Sequence, residues 1–307
     1  MSPTLIVPSR AETEFGPIEY LDRGHGLPVL VVHGSPGGCD QGSLMAEFLL
    51  AAGMRAIIPS RPGYLGTPLT EANRSIDGTA DSHAALMAAL GIERFGVTCW
   101  SGGGPSSYRM ALRHPARITA LVAIAAVSQR YVWHADAEDR FMLDTALGNW
   151  ALGVMSRHAQ RQLIAATLAS EGKLSKVELE SLVEQVWADE HKRQFVLELA
   201  GTVSWRGPRK AGRDNDEANF AAITDLELDG IQVPTLLVHG RVDTDALPQH
   251  SEFAAARIAG ARLEWVERGG HLAAFIDPDS SAIQARIVQF LQEQAPIEHA
   301  GASEARP

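Results

Sequence analysis

An α/β architecture, a doubly wound and mostly parallel sheet with an inserted helical cap, is what this sequence predicts, and three observations predict it. Short apolar runs rich in β-branched residues recur along the chain. Segments with helical spacing separate them. One long stretch, residues 129–232, interrupts the alternation and is mainly helical. Continuous apolar runs suit strands buried on both faces, as in a parallel sheet, and strand–helix alternation builds that sheet with helices on either side.

The elements follow in order. "TLIVPSRAE" and "GPIEYLDRG" read as a hairpin, giving the sheet an antiparallel edge. "PVLVVH" (28–33), "RAIIPS" (55–60), "FGVTCW" (95–100), "ITALVAIAAV" (118–127) and "PTLLVHG" (234–240) are the parallel strands. Between them "GSLMAEFLLAAG", "DSHAALMAALG" and "PSSYRMALRHP" read as helices; Gly53 and Gly91 close the first two and Pro115 stops the third. Core segments 1–128 and 233–296 thus flank the insertion at 129–232, and the polar tail 297–307 is expected to be disordered.

Within the insertion, "EDRFMLDTALGNWALGVMSR", "HAQRQLIAATLAS" and "KLSKVELESLVEQVW" carry apolar residues three and four apart, and Ser175 with Glu178 gives a capping-box start. "SWRGPRKAGRDNDEANF" (204–220) mixes Pro, Gly and both charge signs and reads as an irregular return loop. A helical insertion between strands is expected over the sheet's carboxyl edge, where open α/β sheets bind ligands. Phe141, Trp150 and Trp187 are expected to build the cap's own core or to face a hydrophobic substrate group.

Composition narrows the function. Of 307 residues, 45% are hydrophobic and 21% charged, as in a globular protein with a filled core. Lys and Arg number 27 against 37 Asp and Glu, a net charge of −10 that repels polyanions and argues against nucleic acid as a partner. Small neutral or cationic molecules are the expected partners; oligomeric state is not readable. Two cysteines, Cys39 and Cys99, provide neither a disulfide framework nor metal-ligand spacing, so free thiols and no metal or organic cofactor are expected. The first residues lack a basic and apolar leader pattern, and no run approaches a membrane span; a cytoplasmic protein is expected.

The chemistry centres on "CWSGGGP", residues 99–105. A serine at the end of a buried strand, followed at once by a helix, needs a tight turn to present its Oγ, and small neighbours permit it. Gly103 fills the second glycine position of G-x-S-x-G, while Cys99 replaces the first. A hydroxyl becomes a nucleophile only with a base to take its proton and a carboxylate to orient that base. "HGRVDTD" supplies Asp243, with Asp245 as the alternative acid; "GGHLAAF" supplies His271. Of the other histidines, His239 is expected to pack or cap a turn at its strand end, and His83, His158 and His191 to lie exposed on helices. Oxyanion donors are expected at the N–H groups of Gly102 and of Ser35 in "HGSPGG".

This ordered set, from "VVHGSPGG" through "PSRPGYLGTPL" and "CWSGGGP" to "HGRVDTD" and "GGHLAAF", resembles the α/β-hydrolase superfamily in its capped, esterase-like branch. The resemblance implies a nucleophile at Ser101, an acid at Asp243, a base at His271 and an oxyanion hole at Ser35 and Gly102. A serine nucleophile speaks against the dehalogenase and epoxide-hydrolase relatives, which use aspartate there. Ester hydrolysis through an acyl-enzyme is the expected activity. "HGSPGG" also resembles the HGGPG loop of proline iminopeptidases, for which Glu178, Glu180, Glu184, Asp189 and Glu190 would be the available cap acids, although their spacing suits a solvated face. Carbon–carbon bond hydrolysis and lactone opening share the triad; a ligand sensor on the same scaffold is the non-enzymatic alternative.

Overall fold

The apolar runs become one eight-stranded sheet. The computed structural model describes residues 7–133 and 137–295. Strands β1 (Ser9–Thr13), β2 (Gly16–Gly24), β3 (Pro28–Val32), β4 (Arg55–Pro59), β5 (Phe95–Trp100), β6 (Ile118–Ile124), β7 (Thr235–Gly240) and β8 (Arg262–Val266) lie in the order β1-β2-β4-β3-β5-β6-β7-β8. The β1 and β2 pairings are antiparallel and all others parallel, so the predicted mixed sheet with an antiparallel edge is observed. Every residue of β5, β6 and β7 is buried, which is why these strands read as unbroken apolar runs rather than alternating ones.

Helices α1 (Cys39–Ala51), α2 (Ile76–Ala89) and α3 (Gly104–Arg113) connect the strands. Gly53 and Gly91 follow the first two at φ 77° and 69°, the left-handed closure that glycine adopts without a Cβ penalty. Two apolar clusters fill the sheet's faces. One gathers Leu49, Val31, Ile124 and Phe290; the other gathers Leu30, Val97, Tyr108 and Leu237. After β7 come α10 (Gln249–Arg257), α11 (Ala273–Ile276) and α12 (Ser280–Glu293).

Between β6 and β7 lie α4 (Ala137–Asp144), α5 (Ala146–His158), α6 (Gln160–Ser170), α7 (Lys176–Ala188), α8 (Glu190–Leu199) and α9 (Lys210–Ala221). The capping box at α7 forms as expected, Ser175 Oγ accepting from the Glu178 N–H and the Glu178 side chain from the Ser175 N–H. Three sequence expectations need correction. The segment 138–157 is not one helix: Thr145 turns extended and its Oγ1 accepts the Gly148 N–H, starting a second helix. The supposed return loop is a 3₁₀ turn at Gly207–Arg209 running into α9. Its mixed charges fall at helical intervals, Lys210 pairing with Asp214 and Arg213 with Glu217, while Phe220 and Asp216 face inward. Phe141 and Trp150 are exposed at 45% and 63%, so they do not form a core of the insertion; Trp187 is half-buried under the Arg193 guanidinium. The tail 297–307 lies outside the described residues.

Candidate active site

Strand β5 ends at Trp100, and Ser101 follows at φ 51°. The left-handed region costs a non-glycine residue on the order of 1–3 kcal/mol, and such strain gathers where a side chain must be presented in a defined direction. The sequence explains why the turn can form. A Cβ on Gly103 would stand 2.8 Å from the carbonyl oxygens of Val32 and His33, and one on Gly102 would stand 2.6 Å from Ser35 Cβ and 3.2 Å from Ser35 N. Glycine at these positions lets the turn lie directly against the loop after β3. Cys99, the departure from the G-x-S-x-G pattern, fits fully buried.

Asp243 follows β7 and His271 follows β8, each at the carboxyl end of its strand, as Ser101 is of β5. His271 Nδ1 donates to Asp243 Oδ2 at 2.8 Å. Both residues are almost fully buried, at 2% and 3% exposed. The second candidate acid, Asp245, lies on the other side of the ring, its Oδ2 3.3 Å from Nε2, and its Oδ1 accepts from Tyr131 Oη at 2.7 Å. Asp243, not Asp245, therefore holds the nitrogen opposite the one that would face a nucleophile. Trp100 covers the imidazole, with ring centroids 4.9 Å apart, and its Nε1 donates to the His271 carbonyl. Among the described residues, His271 Nε2 has no hydrogen-bond partner, so Ser101 and His271 are not directly bonded.

The loop "HGSPGG" is braced from within. His33 Nδ1 donates to the Gly34 carbonyl and Nε2 accepts from the Arg61 N–H, while Gln41 accepts the Gly34 N–H and donates to Pro36 O and Thr202 Oγ1. Among the described residues, the Ser35 N–H has no acceptor.

A model of the alpha/beta hydrolase fold family matches residues 28–278. The chain belongs to the alpha/beta hydrolase family. A solved alpha/beta hydrolase fold protein from Nakamurella multipartita is 48% identical and superposes with a TM-score of 0.91, covering 94% of this chain and 100% of that one. An uncharacterized hydrolase of Bacillus subtilis is 26% identical over 84% of this chain and 89% of its own. A 2-hydroxymuconate semialdehyde hydrolase of Pseudomonas putida is 25% identical over 81% and 82%.

Two groups in this hydrolase escaped sequence reasoning, and both come from the insertion. Glu171, just after α6, accepts the His271 N–H on its carbonyl at 2.8 Å, while Gly172 pairs with Asp243 and Lys173 donates to Val242 O. Glu171 keeps partial exposure as a residue, yet its Oε2 is sealed and unpartnered. Burial pushes its carboxyl up to about 8, against the pull of His271. Burial lowers His271, but Asp243 and Asp245 outweigh it and raise the imidazole above its ordinary value; burial raises Asp243, but the His271 and His239 partners outweigh it and hold the carboxyl below the usual range.

The second group is Asp216 on α9. It accepts both Arg61 terminal nitrogens, at 2.9 and 2.7 Å, and the Tyr64 hydroxyl at 2.5 Å; Tyr64 in turn pairs with Ser35 Oγ at 2.9 Å, and Arg61 donates to the Gly34 carbonyl. No local motif marks either acid, since each gains its role from a contact far along the chain. His83, expected on an exposed face, is 1% exposed and feels the Arg61 charge, whereas His239 bridges Ser251 Oγ and the Ala246 carbonyl as a turn holder, as expected. Glu178, Glu180, Glu184 and Glu190 are exposed. Among the described residues no helix is long and apolar enough to cross a membrane.

Proposed function

We propose that this hydrolase cleaves carboxylic esters of small, partly hydrophobic molecules through an acyl-enzyme. The observation that carries the reading is a buried imidazole bonded to a carboxylate on Nδ1, with no hydrogen bond at Nε2, together with a serine in left-handed conformation at the end of β5. Ser101 Oγ attacks the ester carbonyl while its proton passes to His271 Nε2, through a hydrogen bond that forms as substrate enters. Asp243 and Asp245 favour the imidazolium that forms. The oxyanion takes hydrogen bonds from the N–H groups of Ser35 and Gly102. Collapse of the tetrahedral adduct breaks the ester C–O bond, His271 returns its proton to the leaving alkoxide, and water repeats the sequence to release the acid. The helical insertion serves as a cap over this edge of the sheet.

Turnover of a p-nitrophenyl acyl ester tests the reading. Ser101→Ala should abolish it while leaving the melting temperature within a few degrees, and a phosphonate ester should label only the unmutated protein, as a mass increase on the Ser101 peptide. Unchanged turnover or labelling in the variant refutes the assignment. A second reading, hydrolysis of a carbon–carbon bond, draws on the similarity to 2-hydroxymuconate semialdehyde hydrolase. A vinylogous diketone cleaved faster than any ester of a panel would favour it.

A further inference from the structure

We infer that Glu171, Asp245 and His271 form a binding site for one divalent transition-metal ion of the zinc type, and that its occupation shuts the hydrolase off. The three come from separate parts of the chain: the turn after α6, the loop after β7 and the loop after β8. One donor atom from each lies within 4.8 Å of the other two. His271 Nε2 and Asp245 Oδ2 are 3.3 Å apart. Zinc bonds of about 2.0–2.1 Å set neighbouring ligands of a tetrahedron about 3.3–3.4 Å apart, so this pair already spans one edge. Glu171 closes the face with a small side-chain adjustment, leaving a fourth position for water.

Acidic clusters are common without a metal, but this one has two sealed atoms that make no hydrogen bond among the described residues: the Nε2 of an imidazole 2% exposed, and Glu171 Oε2. Buried polar atoms are ordinarily hydrogen-bonded, so two such orphans on residues whose donor atoms cluster call for a partner. The ring is also prepared for a ligand role. Its Nδ1 proton is committed to Asp243, so a metal would bind at Nε2, displacing the proton there, in the carboxylate–histidine–metal arrangement that orients ligating imidazoles. Tyr131 holds Asp245 Oδ1 and directs Oδ2 toward the ring. The backbone clamp at Glu171 fixes the third ligand relative to the second and first. One imidazole and two carboxylates suit zinc or cobalt better than magnesium or calcium, which take oxygen ligands.

The shut-off rests on the proposed function, because the lone pair that would bind the metal is the one that takes the Ser101 proton. The binding itself does not. Calorimetric titration of ZnCl₂ into the full-length, chelator-stripped Ser101→Ala protein therefore separates the two. One equivalent should bind, with affinity reduced about tenfold or more by either Glu171→Gln or Asp245→Asn. Cobalt(II) added to the unmutated protein should give the intense visible absorption of a four-coordinate N/O site, a readout that needs no variant to fold. Absence of saturable binding, affinity unchanged in both variants, or the weak spectrum of six-coordinate cobalt would overturn the site. In the unmutated enzyme, ester turnover should fall in step with zinc occupancy and return with chelator; zinc bound with turnover unaltered would overturn the shut-off. Loss of the Ser101 mechanism with binding intact would refute the proposed function and leave the site standing.

Discussion

At the scale of single residues, the chain of hydrogen bonds from Ser35 to Asp216 decides how firmly the loop after β3 is held. Asp216 is acceptor-only when ionised, so the Tyr64 proton goes to it, and Tyr64 Oη must then accept from Ser35 Oγ. The direction of the whole chain is set by one carboxylate on α9. Tyr64→Phe removes that chain and frees Ser35 while leaving the buried Arg61–Asp216 pair intact. Ester turnover is expected to drop about tenfold in kcat with KM little changed, roughly 1.4 kcal/mol of lost transition-state stabilisation. An effect on KM alone would assign the network to substrate binding instead. Asp216→Ala is expected to be a folding defect, since it strands Arg61 at 4% side-chain exposure: about 3–5 kcal/mol, measured as a lower urea midpoint. The placement of Ser101, Asp243 and His271 at strand ends was legible because each sits in a short local pattern of strand end and small residues. Asp216 and Glu171 were not, because a carboxylate on an insertion helix looks the same whether it meets solvent or a buried guanidinium.

At the scale of elements, strands were the most readable feature. Burial on both faces leaves an unbroken apolar run, and β5 was bounded at both ends by its sequence. Helices of the insertion were harder. The break at Thr145 depends on a cap bond that periodicity does not register, α8 had no separate signal, and α9 sets its one large apolar residue, Phe220, among eleven polar or small ones. The short strap between α6 and α7 was invisible, since its pairing partners lie beyond β7 and β8. Its closeness is nevertheless written in two glycines. A Cβ on Gly270 would stand 2.5 Å from the Glu171 carbonyl oxygen, and Gly172 Cα is 3.1 Å from the same point. Gly270→Ala should push the strap off the histidine loop, because the obstruction is backbone rather than a flexible side chain. The expected result is ester turnover down more than about tenfold and earlier proteolytic cleavage near residue 172, with most of the stability kept because the sheet is untouched. A variant with wild-type turnover would mean that the strap gives way without carrying His271 along.

At the scale of the whole molecule, buried histidines link the fold to pH. His83 on α2 has neither ring nitrogen bonded among the described residues, and burial, with Arg61 adding, pushes its pKa down to about 3. His250 is lowered to about 4 by burial, with His239 adding, and keeps Nδ1 as acceptor for the Ser128 N–H. His33 is lowered well below the ordinary value by burial and Arg61. In the unfolded chain all three titrate near 6.5. Above that pH they are neutral in both states and cost nothing; below it the unfolded chain binds protons that the native state refuses, so stability falls as pH falls. Of the groups with raised values, His271 and Glu171 must be weighed against this. His271 is protonated in both states below about 6.5 and drops out of this window, while Glu171, at about 8, opposes the trend with one proton against three. The urea midpoint is therefore expected to decline from pH 6.5 to 5, before ordinary carboxylates titrate. Replacing both His83 and His250 with glutamine should flatten that decline, whatever it does to stability at pH 8. A midpoint that stays level in the unmutated protein across this window would mean that these rings gain water or a partner when charged, and that the core around Arg61 is more open than its packing indicates.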